Sequence, residues 1–293
     1  LFEFQALRDF LQFLDWACGL ATSHERVARL AYDFSRRLDC DGTGYADVII
    51  NPTHWKSWRG RPLDLIKALD SGFRQAEEDR LPPVGLCVSL LRTQSADEAT
   101  ELVENLIDWH HPRIVALSID GNEAAAGRTG PRFAAAFAKA GRAGLKRTVH
   151  AGESSGADGV RDALELLGAD RIDHGVRAIE DERVVALLVE KQIALGICPS
   201  SDIALGVFPS VAEHPVERLR TAGVPVSLNT DDPGLLFTDL PEEYAKVAET
   251  FSWDLATLKA TARTSIDASF ANDDTKLALR TKLDLWHQVS RSP

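Results

Sequence analysis

The stretch Leu145-Lys146-Arg147-Thr148-Val149-His150-Ala151-Gly152-Glu153 begins as a short β-branched, apolar run and ends on titratable side chains. A helical pattern follows over 159–167, then a second short run, Arg171-Ile172-Asp173-His174. A further helix over 181–191 leads into a third run, Ile193-Ala194-Leu195-Gly196-Ile197-Cys198. The runs are nearly continuous in apolar residues instead of alternating, as strands buried on both faces of a parallel sheet must be. Strand and helix in strict alternation imply crossover connections, hence an α/β fold.

The rhythm extends in both directions. Upstream, strands are predicted over 45–52, 84–91 and 114–119, with helices over 62–78, 96–109 and 131–143 between and after them. Downstream come a helix over 215–222, a strand over 224–229 and a helical remainder from about Leu240. Ahead of the first strand, Leu7, Phe10, Leu11, Leu14 and Ala17, then Val27, Leu30, Ala31 and Phe34, recur at helical spacing and predict two opening helices. Seven strands separated by helices fit a (β/α)₈ TIM-type barrel with one strand unaccounted for. A doubly wound open sheet is the competing layout, but no Gly-rich turn follows the first strand. The expected fold is therefore α/β, a single barrel domain over 1–293. Because the chain opens with helices where a barrel opens with a strand, the first strand is expected ahead of Leu1.

Composition narrows the function. With 33 Lys+Arg against 44 Asp+Glu in 293 residues, the net charge is −11, which argues against gripping nucleic acid or an anionic membrane through the overall field. Hydrophobic residues at 44% and charged residues at 26% are those of a folded chain, not a disordered one. Cys18, Cys40, Cys87 and Cys198 are too few and too scattered for a disulfide scaffold or zinc ribbon, and are expected as reduced core residues. Met is absent. No apolar run is long enough to span a bilayer, and Leu1-Phe2-Glu3-Phe4-Gln5 lacks the basic segment of a signal peptide, so a cytoplasmic location is expected.

In a barrel, reactive groups collect at the carboxyl ends of strands. Here those ends read Val149-His150-Ala151-Gly152-Glu153, Ile172-Asp173-His174-Gly175, Leu228-Asn229-Thr230-Asp231-Asp232-Pro233 and Ile119-Asp120-Gly121-Asn122-Glu123. Taken singly, each has a plain structural reading: a satisfied His, an Asp-Asp-Pro turn or cap, a Glu opening a helix. All of those readings would have to hold together at successive strand ends. The alternative is a mononuclear hydrolytic metal site. His150 and Asp231 are ligands of the kinds zinc accepts, and a metal with an open position makes hydroxide available near neutral pH. His174 is a candidate to orient or deprotonate the water, and Glu153 to donate a proton to substrate. His54, in Asn51-Pro52-Thr53-His54-Trp55, is a candidate substrate contact or a structural residue. His214 reads as structural, and Asp202, Glu180 and Asp181 as loop or helix-start charges.

The segments Thr148–Glu153, Arg171-Ile172-Asp173-His174-Gly175-Val176-Arg177, Cys198-Pro199-Ser200-Ser201 and Ser227–Pro233 resemble, in order and spacing, the adenosine/adenine deaminase family of the amidohydrolase superfamily. The resemblance runs from about Phe10 to about Phe270. It implies a zinc enzyme, one ion per chain, in which His150 and Asp231 ligate the metal and Glu153 protonates purine nitrogen 1. It further implies that His174 acts on the activated water, Asp232 accepts a hydrogen bond at nitrogen 7, and the Gly121 backbone approaches nitrogen 3. The implied reaction is hydrolytic loss of the purine 6-amino group, with a small purine nucleoside or base as partner. Adenosine is the expected substrate, and adenine or a modified adenosine the alternative. The family's His-x-His, which supplies two more ligands, is absent from the 293 residues and is expected on the preceding strand. A barrel that only binds purines is the alternative from another class. The other zinc deaminases are excluded by their own signature, His-x-Glu with a later Pro-Cys-x-x-Cys, and no nucleophile elbow or Walker pattern occurs.

Overall fold

A computed structural model describes residues 7–289. Seven parallel strands form one sheet in chain order: β1 (Ala46–Ile50), β2 (Val84–Leu91), β3 (Ile114–Asp120), β4 (Lys146–Ala151), β5 (Arg171–His174), β6 (Ala194–Ile197) and β7 (Val226–Leu228). Neighbours in sequence are neighbours in the sheet, joined by helical crossovers such as Pro62–Glu78, Ala96–Trp109 and Glu182–Lys191. The strands follow the predicted positions closely, and β2 and β5 match them residue for residue. Among the described residues β1 and β7 are the two edges of the sheet.

The sheet curls strongly. In a flat sheet, β1 and β5 would stand about 19 Å apart, four strand spacings of about 4.8 Å. Instead Arg171 Nη1, at the start of β5, donates to Asp47 Oδ2 in β1 at 2.6 Å. The two strands therefore face each other across an interior, as barrel strands do. Arg171 also lies with Nε 3.4 Å from Asp173 Oδ1 and its guanidinium over the Phe270 ring, while Asp47 Oδ2 accepts the Phe270 N–H at 2.9 Å. This knot joins the amino-terminal end of the strands to the chain after the helix Leu255–Ala268.

Helices cover the outer face. The helix Pro62–Glu78 buries Leu65, Ile66, Leu69 and Phe73, and its Gly72 lets the helix His24–Cys40 approach so closely that a Cβ would lie 1.9 Å from the Ala28 carbonyl oxygen. The helix Ala96–Trp109 starts with a capping box in which Ser95 and Glu98 exchange side-chain and backbone hydrogen bonds. The two opening helices form as the periodicity predicts, over Leu7–Cys18 and His24–Cys40. Cys87 and Cys198 are buried as expected, whereas Cys18 is partly buried and Cys40, ending its helix, is exposed. No helix among the described residues is long and apolar enough to cross a membrane.

Removing the Arg171 charge would strand two buried carboxylates, a situation that costs about 3–5 kcal/mol. Arg171→Met is accordingly expected to lower the unfolding free energy read from chemical denaturation by that amount, with the midpoint moving down in proportion. An unchanged midpoint would mean that Asp47 and Asp173 find other partners.

Candidate active site

The register sets the site. In the β4–β5 pairing His150 sits opposite Asp173 and Ala151 opposite His174. The His150 and His174 rings stand 5.2 Å apart between centroids. His174 Nε2 lies 4.0 Å from Glu153 Oε1 and 4.0 Å from Asp231 Oδ2. Four residues from the ends of β4, β5 and β7 thus converge, as the strand-end reading predicts. Both His174 (φ +64°) and Asp231 (φ +58°) adopt the left-handed backbone conformation that L-residues avoid. Such conformations cost of order 1–3 kcal/mol each and survive only where surrounding structure imposes them. Gly121, at the end of β3, has φ +98°, and a Cβ there would lie 3.0 Å from Leu91 Cδ1.

Burial and charge tune these groups. Glu153 is 5% exposed, and burial raises its pKa; the carboxylates of Asp202 and Asp231 push the same way, against the imidazoles of His174 and His150. Burial works against protonation of His174, but Glu153, Asp202 and Asp231 together outweigh it and raise that residue well above the usual histidine value. Burial likewise opposes the charged form of His150, and Asp173 overcomes it, raising His150. For Asp173 itself burial acts upward, yet His150, Arg171 and Thr148 hold it well below the ordinary carboxylate range. Asp232 is raised well above that range, first by burial and then by the Asp231 carboxylate beside it.

His150, His174 and Asp231 each offer one ligand atom within 4.8 Å of the others. Two imidazoles and a carboxylate suit a borderline metal such as zinc better than a hard oxygen-seeking cation. The surroundings fit the same role. Asp173 Oδ2 stands 3.4 Å from His150 Nδ1, the arrangement that orients metal-bound histidines, and the Ser201 hydroxyl donates to Asp231 Oδ2 at 2.7 Å. The residues present therefore fit a metal.

The sequence model of the adenosine deaminase family matches residues 2–286. The chain belongs to the adenosine deaminase family. It is 36% identical over 274 residues to an adenine deaminase of Rhizobium leguminosarum bv. trifolii, an alignment covering 94% of this chain and 84% of that protein. The crystal structure of an adenine deaminase from Arthrobacter aurescens superposes with a TM-score of 0.91 at 28% identity, covering 98% of this chain and 87% of the other. An amidohydrolase from Burkholderia ambifaria, solved with bound zinc, superposes with a TM-score of 0.82 at 27% identity, covering 92% and 76%.

Within this family frame, several residues surround the site that sequence reasoning does not single out. Glu123 is buried, and its carboxylate accepts the backbone N–H groups of Gly152 (3.1 Å), Glu153 (3.0 Å) and Ser155 (3.3 Å). It holds the loop that carries Glu153. Arg92, also buried, donates to the carbonyls of Gly121 (3.2 Å) and His150 and to the Thr129 hydroxyl (2.8 Å), tying the ends of β3 and β4 to β2. Glu123 closes one of the quoted strand ends but is given no role there, and Arg92 lies in none; only the fold brings them to the loop. Glu123→Gln would set an amide against N–H donors, and hydrogen bonds to charged groups are worth about 1.5–3 kcal/mol. Turnover of this deaminase-family chain is expected to fall about tenfold to a hundredfold, with the melting transition little changed; a native rate would assign the loop's geometry to other contacts.

His54 takes the structural course in part. Its Nδ1 is 2.6 Å from Asp15 Oδ1, pinning the turn after β1 to the helix Leu7–Cys18. Asp120 donates nothing to the loop but accepts from Asn51 Nδ2 at 2.6 Å, joining the ends of β1 and β3. His214 and Asp202, read from the sequence as a structural residue and a helix-start charge, are hydrogen-bonded to each other within the interior.

Proposed function

We propose that this chain is a metal-dependent hydrolase that removes the 6-amino group of a purine as ammonia. The observation carrying the reading is the convergence of Glu153, His174 and Asp231 on one point, with His150 beside them. His150 and Asp231 would hold the ion, His174 lying within reach of the same point. A bound zinc-type metal supplies hydroxide at neutral pH by lowering the pKa of water.

The remaining work falls to the protein's own groups. Glu153, whose protonated form burial favours, gives its proton to ring nitrogen 1 as hydroxide adds to carbon 6. The addition breaks ring aromaticity, so the proton must arrive with it. His174 takes the proton released from water and returns one to the amino group, which leaves as ammonia while the carbon 6 hydroxyl gives its proton back to Glu153 and becomes the carbonyl. Water and the purine amidine are consumed, and the 6-oxopurine and ammonia are formed. At Asp232 the proposed contact differs from the sequence-based expectation: nitrogen 7 of adenosine has only a lone pair to offer, so the carboxyl would donate to it, a direction that burial and the neighbouring Asp231 carboxylate both favour. The Gly121 backbone, free of any Cβ, would lie along the nitrogen 3 edge.

Adenosine is the substrate the sequence resemblance favours; the naming of the relatives as adenine deaminases favours the free base as a second reading. Both belong in one assay of the full-length, metal-loaded protein, with adenosine and adenine followed separately by ultraviolet absorbance. Conversion of either supports the reaction and identifies the partner. Failure with both, and with their 6-N-methylated forms, would leave the purine-binding barrel in its place.

A further inference from the structure

We propose that Asp202 and His214 form a buried relay that dictates which nitrogen of His174 carries its hydrogen. They act as positioning residues: Asp202 meets His174 on its Nδ1 side and His214 meets Asp202, so both act on the reaction through His174. The proposal builds on the reading of His174 as the proton acceptor of the reaction.

The relay starts from the backbone. His214 Nδ1 accepts the Val216 N–H at 3.1 Å, so its lone pair is in use and the hydrogen of the neutral ring sits on Nε2. That Nε2–H donates to Asp202 Oδ2 at 2.9 Å. The T-shaped packing of the Phe208 ring on His214, at 5.1 Å, keeps the imidazole in this orientation. One oxygen of Asp202 is thereby committed. The other, Oδ1, faces His174 Nδ1 at 3.3 Å, and each of those two buried atoms is without a hydrogen-bond partner among the described residues, so each is the nearest that the other has. Asp202 is 0% and His214 2% exposed, so water cannot stand in for either.

A carboxylate can only accept. Once the ring is neutral, facing Oδ1 keeps the His174 hydrogen on Nδ1, which leaves Nε2 as a bare lone pair directed toward Glu153 and Asp231. This is the tautomer a proton acceptor needs. An asparagine at position 202 would reverse it. With His214 Nε2–H fixed as a donor, the amide oxygen must turn to His214, and the amide NH₂ then points at His174 Nδ1. His174 would move its hydrogen to Nε2 and present a donor where an acceptor is required.

The test is Asp202→Asn in the full-length protein, read by ¹⁵N NMR of the imidazoles at the alkaline end of the His174 titration, with the His174→Gln variant assigning the signal. The wild-type ring is expected as the Nδ1–H tautomer and the variant ring as Nε2–H. This readout requires no substrate, so it stands whether or not the chain proves to be a purine deaminase. In turnover, the variant is expected to lose about 10²-fold or more in kcat, as misplaced tautomers do elsewhere, with KM little changed. The double variant Asp202→Asn/His214→Phe keeps a ring against Phe208 but removes the Nε2–H. The asparagine is then free to turn its oxygen to His174, and the Nδ1–H tautomer should return with about tenfold or more of the lost rate. A wild-type tautomer in Asp202→Asn, or an Nε2–H tautomer persisting in the double variant, would overturn the proposal.

Discussion

Glu153→Gln is expected to leave the fold and the metal in place while kcat falls by about 10²- to 10⁴-fold, the range a positioned general acid contributes. Glutamine keeps the shape of the side chain and can still donate a hydrogen bond, but it has no proton to give up. The loss isolates proton transfer from binding. The pH profile carries a second signature. Burial raises the Glu153 pKa, so the protonated, working form survives to higher pH than an ordinary carboxyl would allow. Activity of the wild type should be present below that raised value and decline as pH climbs through it. In the variant the decline belonging to Glu153 disappears along with most of the rate. A variant retaining more than about a tenth of native kcat would remove Glu153 from the proton-donor role.

The other large effect concerns Asp231. Asp231→Gly is the informative substitution because the backbone there has φ +58°, which glycine accepts and alanine does not. One carboxylate ligand is lost, and of the two residues proposed to hold the ion only His150 remains among the described residues. Metal content measured on the dialysed protein is expected to fall from near one per chain to a small fraction. Turnover should drop to the level of chelator-treated wild type, and adding excess metal should restore it only weakly. The Ser201 hydroxyl, which donates to Asp231 at 2.7 Å, loses its partner but is free to rehydrate toward the opened site. Retention of stoichiometric metal would place the ion elsewhere, with Glu153, His174 and Asp202 as the competing cluster.

Much of this was legible in the sequence, for physical reasons. β2 is a nearly continuous apolar run between Pro83 and Arg92, and β5 is a short segment set between Gly168-Ala169-Asp170 and Gly175, so their limits show plainly. His150, Glu153, His174 and Asp231 each lie at or just past a strand's end, and in parallel α/β folds that position alone brings residues together. The supporting residues had no such signal. Glu123 begins a four-residue helix that no periodicity announces, and its three backbone partners lie about thirty residues away in the loop after β4. Arg92 looks like any loop arginine until the ends of β3 and β4 close around it. Asp202 reads as an acidic residue in the first turn of a helix, a position where a carboxylate is ordinarily solvated. Only packing reveals that it is wholly buried between two histidines. The ionisation of Asp232 is hidden for another reason: burial and the Asp231 carboxylate raise its pKa, which residue type does not announce.

The left-handed backbone at His174 and Asp231 sets the interests of the fold against those of the site. Glycine in place of Asp231 would relax the chain and thin out a crowd of like charges, so heat tolerance and usefulness pull apart there. A population screened for survival at high temperature, with no demand for turnover, would drift toward glycine at that position first. Histidine and aspartate in so uncomfortable a geometry are what a protein kept for its chemistry would carry.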